Sequence, residues 1–186
     1  LDDLDNRVIK GWELIEHYLI GERAVNRGGV RSYSRLNRRT KMLPGRKKIT
    51  GFSAAFIVDE SGSMSDDEVG LAFNLVKKVV LRENRDKVYV VHWDTEPHEE
   101  IDELQFDHEM EKVTRRNGGG TDFSKFFTHP INQRIDADVN VCVTDGYPYP
   151  WPETDPDKPT IWIITQKGGY DDWEQNYGKG LAVCVE

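Results

Sequence analysis

The chain has 186 residues, enough for one compact domain with additional segments that folds without disulfide bonds or structural metals. Its 33 acidic and 25 basic side chains give a formal net charge of -8, which argues against general nucleic-acid binding. No apolar run is long enough to cross a membrane, and the first residues lack the basic start and apolar centre of a signal peptide. The sequence therefore predicts no membrane segment and a cytoplasmic protein.

The first 50 residues differ in charge from the rest of the chain. They carry 12 of the 25 basic side chains but only 6 of the 33 acidic ones, so residues 51–186 hold 13 basic and 27 acidic groups. Residues 8–19 space their apolar side chains at near-helical intervals and predict an amphipathic helix. Residues 21–48, rich in basic side chains and glycine, predict a connector that is either a docking patch for an acidic partner or a solvated arm. We therefore divide the chain into an N-terminal helix and basic connector, 1–48, and a core domain, 49–186.

The core domain alternates predicted strands and helices. Residues 53–58 form an apolar run typical of a strand buried on both faces, and the capping-box sequence from Ser65 to Glu68 begins a helix over 66–83. A later helix carries Phe123, Phe126, Phe127 and Ile131. Further strands are predicted at 87–93, 139–144, 160–165 and 181–185, with 99–104 as an antiparallel edge strand. This order predicts an α/β fold, a doubly wound, mostly parallel sheet of about six strands covered on both faces.

The crossover between the fourth and fifth strands of this order is unusual. Residues 145–159 contain five prolines, so the connection is predicted to be a stiff, non-helical loop. Because it leaves the carboxyl end of a strand, it should overhang the crevice where open parallel sheets bind ligands. Its aromatic side chains either form a recognition surface for a partner or pack over the sheet: Tyr147, Tyr149 and Trp151.

The two cysteines, Cys142 and Cys184, both lie in short apolar runs that read as strands. In such positions a free cysteine behaves as a small apolar residue. We interpret both as buried thiols in a reducing cytosol.

Oxygen-bearing side chains follow two of the predicted strands. Asp59, Ser61 and Ser63 occupy alternate positions just past the first strand of the core domain, where a turning backbone can aim all three at one point. Thr121 follows three glycines, and Asp145 ends the strand at 139–144. Hard oxygen ligands of this kind suit Mg²⁺. Two carboxylates balance a dication, and the position left open would attract a carboxylate, Asp or Glu, from a partner protein.

This pattern resembles the metal-ion-dependent adhesion site, MIDAS, of von Willebrand factor A (vWA) domains. That site consists of Asp-x-Ser-x-Ser, a distant Thr, and an Asp after the fourth strand, and all five positions match here. The resemblance implies a Rossmann-like vWA fold in which Ser61, Ser63 and Thr121 contact Mg²⁺ directly, while Asp59 and Asp145 act largely through water. The sequence does not distinguish Mg²⁺ from Mn²⁺ or Ca²⁺.

A closer resemblance covers residues 38–186. The stretch Leu-Pro-Gly after basic residues, then Val-Asp-x-Ser-Gly-Ser, Gly-Gly-Gly-Thr-Asp-Phe and Thr-Asp-Gly-Tyr before a proline-rich loop, is similar to a bacterial and phage VWA-like domain family. That domain is usually found at the C-terminus of proteins described as metallopeptidases, often in systems with a MoxR-type AAA+ ATPase. The resemblance implies an intracellular adaptor with an AAA+ ATPase as a partner.

No catalytic constellation accompanies the metal-site pattern. The sequence contains no His-Glu-x-x-His and no phosphate loop, and the nearest zinc-like stretch, which begins at His98, falls at a turn and strand. The leading hypothesis is therefore a metal-dependent protein-interaction module that is not an enzyme by itself. The alternative is the C-terminal part of a metallopeptidase whose catalytic segment lies upstream, which a start at Leu1 rather than methionine favours. Nucleic-acid contact through residues 23–48 ranks last, because the adjoining domain is acidic.

Overall fold

The structure, a computed structural model, describes residues 10–11, 13–15, 30–36, 44–47, 53–82, 87–104, 109, 113–116 and 118–186. Two strands, β1 (Val30–Leu36) and β2 (Pro44–Lys47), pair with each other in an antiparallel sheet. Six more strands form the main sheet: β3 (Ala54–Asp59), β4 (Val88–Trp93), β5 (Asp102–Leu104), β6 (Val139–Thr144), β7 (Thr160–Ile164) and β8 (Leu181–Cys184). Three helices have both ends among the described residues: α1 (Asp66–Arg82), α2 (Pro130–Gln133) and α3 (Lys167–Asn176).

The main sheet has the strand order β5-β4-β3-β6-β7-β8. All neighbouring pairs are parallel except β4 and β5, which pair antiparallel at the edge. This arrangement confirms the predicted α/β fold, with its six-stranded, mostly parallel sheet and antiparallel edge strand. No helix or strand occurs between β6 and β7, as the prolines of residues 145–159 predict.

Both faces of the main sheet are covered by apolar layers, because side chains alternate between the two faces along each strand. On one face, Phe56 and Val58 of β3 pack with the apolar side of α1, including Leu75. On the other face, Ile57 of β3 lies in an aromatic layer that includes Trp162. The central strands are buried along their whole length, which explains their continuous apolar runs in the sequence.

Part of the N-terminal helix packs on this domain. Residues 10–11 and 13–15 are helical, and Ile15 is buried in the same apolar layer as α1. A Cβ added to Gly11 would lie 3.2 Å from Leu75 and 3.5 Å from Ile163, so the helix backbone approaches α1 and the sheet closely here. The other residues of the predicted helix lie outside the described residues.

The basic connector contains regular structure that its composition does not predict. The strands β1 and β2 fall inside residues 21–48, where abundant basic residues and glycine predict a loop. In the sequence of Val30–Leu36, Arg31, Tyr33 and Arg35 alternate with Ser32 and Ser34, a period-2 pattern that a count of charges does not detect. The remaining connector residues lie outside the described part of the chain.

The helices follow the sequence signals to different degrees. The capping box of α1 is confirmed, since the Ser65 backbone N–H and hydroxyl donate to a Glu68 carboxylate oxygen at 2.7 and 2.8 Å, and the Glu68 N–H donates to the Ser65 hydroxyl at 3.3 Å. Its predicted last residue, 83, lies outside the described residues. The helix predicted around Phe123 to Ile131 is wrong in extent. The chain makes turns there, and α2 begins only at Pro130, capped by the His129 side chain.

One helix, α3, is not among the predicted elements. Two glycines, Gly168 and Gly169, lie in its first turn and weaken the helical signal. The spacing of Tyr170, Trp173 and Tyr177, at intervals of three and four residues, is the feature that indicates it. Trp173 is buried against the aromatic face of the sheet.

Both cysteines are free thiols, as predicted. Cys142 is buried, and its burial raises the pKa of the thiol well above its usual value. Cys184 is only half-buried, because β8 lies at the edge of the sheet.

Candidate functional site

The predicted site residues lie at the point where the strand order reverses. From β3 the chain passes through α1 to β4 and then β5 on one side, and β6 pairs with β3 on the other side. The carboxyl ends of β3 and β6 therefore flank the switch point of the sheet, where open α/β sheets bind ligands. Asp59 is the last residue of β3, and Asp145 directly follows β6.

Asp59 is fully buried, and both of its carboxylate oxygens accept a hydrogen bond. Oδ1 accepts from the Ser61 backbone N–H at 3.0 Å, and Oδ2 accepts from the Thr144 hydroxyl at 2.6 Å. Burial raises the pKa of Asp59 to about 6 and the nearby Asp145 charge adds to this rise, while the bonds from Thr144 and Ser61 oppose it. A negative charge on Asp59 therefore lowers the stability of the folded metal-free protein relative to a neutral carboxyl.

Asp145 is also fully buried, but its two oxygens differ. Oδ1 accepts a hydrogen bond from the Tyr147 backbone N–H at 3.1 Å. Oδ2 is buried and has no hydrogen-bond partner in the described part of the chain. An unsatisfied buried carboxylate oxygen is uncommon, because the lost hydration is not replaced.

The loop after β3 brings the two serines together. The hydroxyl oxygens of Ser61 and Ser63 lie 3.0 Å apart and share a hydrogen bond. Between them, the Gly62 backbone N–H donates to the Gly119 carbonyl at 2.7 Å, which joins this loop to the glycine-rich loop. A Cβ on Gly62 would lie 3.3 Å from the Gly118 carbonyl oxygen, so the two backbones approach as closely as a residue without a side chain allows.

Thr121, at the end of the glycine-rich loop, is half-buried and is fixed through its neighbours. The Thr121 carbonyl accepts from the Tyr149 N–H at 3.1 Å. The next residue, Asp122, donates its N–H to the Asp94 carbonyl at 3.1 Å and accepts from the Trp93 indole at 3.0 Å. The end of β4 and the proline-rich loop therefore hold Thr121 from two sides.

The three aromatic residues of the proline-rich loop occupy different environments. Tyr149 is 90 % exposed and Tyr147 is 49 % exposed. Trp151 packs instead over the sheet, stacked on Tyr177 with ring centres 5.4 Å apart, and its indole N–H donates to Asp172 at 2.7 Å. The loop thus has an anchored side at Trp151 and a solvent-facing side at Tyr149.

A close contact of two glycines shapes the other side of the site. Gly146 has a φ of 90°, in the left-handed region that favours glycine. A Cβ on Gly169 would overlap the Asp145 carbonyl oxygen, so only a glycine lets α3 begin against this turn. The Thr-Asp-Gly turn after β6 and the start of α3 can therefore pack together because glycine stands at the contact on each side.

A buried charged cluster that the sequence did not predict lies beside the site. Glu60 and His92 are fully buried, and a carboxylate oxygen of Glu60 lies 2.5 Å from His92 Nδ1. His92 Nε2 lies 3.0 Å from Asp102, which accepts two bonds from one Arg116 nitrogen at 2.8 and 2.9 Å. The only sequence signal for this cluster was the histidine inside the otherwise apolar strand β4. His98, the residue nearest to a zinc-binding pattern in the sequence, lies outside the cluster, in the turn after β4.

Over the residues that the structure describes, no group of three or more His, Cys, Asp or Glu side chains is arranged to bind a metal. The predicted site contains only two carboxylates, and its other donors are hydroxyls. Chemically it is a buried anionic position bordered by neutral oxygen donors. Such an arrangement favours a cation over an anion.

These features define an α/β domain of the Rossmann-like, VWA type, with converging polar loops at the carboxyl edge of its sheet. The family described as "VWA-like domain (DUF2201)" matches residues 54–183, and the chain belongs to this family. Membership in a VWA-like family suggests a protein-interaction module. No curated protein matches the chain. Of the helices in the described ranges, none combines the length and apolar character needed to cross a bilayer.

Proposed function

We propose that this domain is a metal-dependent protein-interaction module. In this proposal Asp59, Ser61, Ser63, Thr121 and Asp145 hold a divalent cation, Mg²⁺ by preference and Mn²⁺ or Ca²⁺ as substitutes. The bound cation supplies an open coordination position that accepts the carboxylate of an Asp or Glu from a partner protein.

The observation that supports the proposal most strongly is the free oxygen of Asp145. Asp145 Oδ2 is buried without a hydrogen-bond partner among the described residues, and Asp59 is buried nearby at a raised pKa. Two buried carboxylates that repel each other are stabilised by a cation between them, since the cation replaces both the lost hydration and the missing partner. The donor set thus fits a hard dication.

The hydrogen bonds suggest different roles for the two carboxylates. Asp59 uses both oxygens to accept bonds from Ser61 and Thr144, which fits a residue that reaches the cation through a bound water. Asp145 has one oxygen without a hydrogen-bond partner among the described residues, which leaves that oxygen available to the cation or its water. The hydroxyls of Ser61 and Ser63 are neutral metal ligands. The two carboxylates of the site therefore supply a charge of about -2, which balances a dication.

The family resemblance extends the proposal to the partner. Because similar domains occur in systems with MoxR-type AAA+ ATPases, we propose that this chain acts as an intracellular adaptor for such an ATPase. The same resemblance supports the alternative that the domain is the C-terminal part of a metallopeptidase. The 186 residues contain no His-Glu-x-x-His, so in that case catalysis depends on a segment outside this sequence.

Cation binding tests the site directly. Isothermal titration of the metal-free protein with MgCl₂ should give one binding event, and Ser61→Ala should weaken it about tenfold, a loss of about 1.4 kcal/mol. Ser53→Ala is the matched control, because the Ser53 hydroxyl donates to Asp138 at the opposite end of β3. If Mg²⁺ does not bind, or binds equally well to Ser61→Ala, the site assignment is wrong.

The exposed aromatic residues test the partner surface. Tyr149→Ala should leave Mg²⁺ binding intact and change stability by less than about 0.5 kcal/mol, since its side chain is exposed. Its association with a partner that is captured with Mg²⁺ and released by chelator should weaken about tenfold or more, because exposed aromatic anchors dominate many interfaces.

The matched control for this surface is Leu181→Ala, which removes an exposed apolar side chain on β8. It should retain the partner fully. Equal retention by Tyr149→Ala would show that the proline-rich loop does not contact the partner.

A further inference from the structure

We propose that Glu60, His92, Asp102 and Arg116 are positioning residues that hold the two metal-binding loops in register. This inference rests on the proposed function, because the loops concerned are those that carry Ser61 and Thr121. It assigns a role to a buried charged cluster that contains none of the proposed ligands.

The four residues form a closed ring of interactions. One Glu60 oxygen lies 2.5 Å from His92 Nδ1, and His92 Nε2 lies 3.0 Å from an Asp102 oxygen. The guanidinium of Arg116 donates to both Asp102 oxygens, at 2.8 and 2.9 Å. The ring closes where the Arg116 backbone N–H donates to the second Glu60 oxygen at 2.7 Å.

Burial makes this ring sensitive to geometry. Glu60 and His92 are fully buried, whereas the side chains of Asp102 and Arg116 are 20 % and 19 % exposed. Both ring nitrogens of His92 lie within hydrogen-bond distance of carboxylate oxygens, so the orientation of the ring is fixed from two sides. Buried charges are tolerated only when their hydrogen bonds are satisfied, and such networks favour one arrangement of the elements they join.

The ring is connected to the proposed ligands through the backbone. Glu60 stands between Asp59 and Ser61 in the sequence, so fixing its side chain fixes the start of the first metal loop. The neighbouring Arg115 donates to the Ser61 carbonyl at 2.9 Å and to Asp66 at 2.8 Å. Residues 115 and 116, which precede the glycine-rich loop (residues 118–120), are thus bonded to the first metal loop (residues 60–63).

The second connection lies further along the same segment. The glycine-rich loop begins shortly after Arg116, and its Gly119 carbonyl accepts from the Gly62 N–H at 2.7 Å. Three glycines give this loop wide conformational freedom, so its path depends on what holds its ends. At the Thr121 end the loop is held by backbone hydrogen bonds to the Tyr149 N–H and the Asp94 carbonyl. At the Arg116 end it is held by the ring.

The test compares two ring variants with a neighbouring control. Asp102→Asn keeps the side-chain shape but removes its charge, and Arg116→Lys keeps the charge but removes the paired donors. Glu103→Gln, the next residue on β5, breaks only the exposed ion pair with Lys87. For each folded protein, Mg²⁺ affinity is measured by titration, and the exchange rate of the Gly62 amide is measured in the metal-free state.

We expect both ring variants to bind Mg²⁺ about tenfold more weakly, as residues that orient metal ligands commonly do, with faster exchange of the Gly62 amide. Glu103→Gln should match the wild type in both measurements. If the wild type binds Mg²⁺ and both ring variants bind it equally well, the positioning role is wrong. If the wild type binds no Mg²⁺, the proposed function fails, and the Gly62 exchange rate decides alone: faster exchange in the ring variants supports the role, and unchanged exchange overturns it.

Discussion

Replacing Asp145 by asparagine is expected to abolish cation binding and at the same time to stabilise the metal-free protein. The substitution keeps the shape of the side chain but removes one of the two buried charges. The repulsion between Asp145 and Asp59 disappears, and the position of the unpartnered oxygen no longer carries a negative charge. Loss of this buried, repelled charge should raise the free energy of unfolding of the metal-free protein by about 1–2 kcal/mol.

The loss of affinity for Mg²⁺ should be larger than that gain. A unit charge about 4 Å from a cation contributes about 4 kcal/mol at the effective dielectric constant typical of protein sites, so binding should weaken at least about a hundredfold. Thermal unfolding with and without MgCl₂ measures both effects. The wild type should gain stability with Mg²⁺, and Asp145→Asn should not respond to it.

The opposite sign is expected for Asp138→Asn, which serves as the control. Asp138 Oδ2 accepts from the Ser53 N–H at 2.9 Å and from its hydroxyl at 3.1 Å, so this carboxylate is satisfied. Its replacement should lower stability and leave Mg²⁺ binding unchanged. A destabilised metal-free Asp145→Asn protein would contradict the view that this carboxylate is held for a cation.

The metal-free protein should lose stability as the pH rises from about 4 to about 6. The pKa of Asp59 is raised from 3.8 to about 6 by burial, so the folded state binds a proton more tightly than the unfolded state. The stabilising contribution is therefore complete below pH 3.8 and lost as the pH passes the folded pKa. A shift of this size corresponds to about 3 kcal/mol.

Comparison with Asp59→Asn isolates this effect from other titrating groups. Glu68 acts in the opposite direction. Although burial alone would raise its pKa, hydrogen bonds from Thr165, Ser65 and Gln166 lower it overall, so its contribution is lost as the pH falls. The difference in unfolding free energy between wild type and Asp59→Asn should follow the Asp59 titration.

The same titration predicts how Mg²⁺ binding depends on pH. Because a proton on Asp59 competes with the cation, affinity should fall below about pH 6 and reach a plateau above it. Titrations between pH 5 and 8 check this. A flat profile for the wild type would show that Asp59 does not interact with the cation.

The architecture of the main sheet could be predicted because burial leaves a direct signal in the sequence. Strands such as β3 and β6 are largely apolar, and the capping box marks the start of α1 without reference to the rest of the chain. Elements that depend on tertiary contacts were harder to predict. The first turn of α3 contains two glycines because it meets the Asp145 carbonyl, and that contact is invisible before the sheet is assembled.

The candidate site was predictable to a similar extent. The sequence places Asp59 and Asp145 at the ends of strands, and parallel pairing of β3 with β6 brings those ends together. The unpartnered oxygen of Asp145 and the pairing of the two loops through Gly62 and Gly119 are properties of the folded chain. The ring around His92 joins residues up to 56 positions apart, so no local sequence motif predicts it.

The edge strand β5 links this ring to the behaviour of the protein in concentrated solution. Two of the three residues in Asp102–Leu104 are acidic, and charged side chains on an edge strand discourage a second chain from extending the sheet. Asp102 therefore has two roles: it belongs to the ring, and it contributes to the negative charge of the edge strand. Changes at Asp102 should therefore favour self-association of the protein as well as weaken its cation binding.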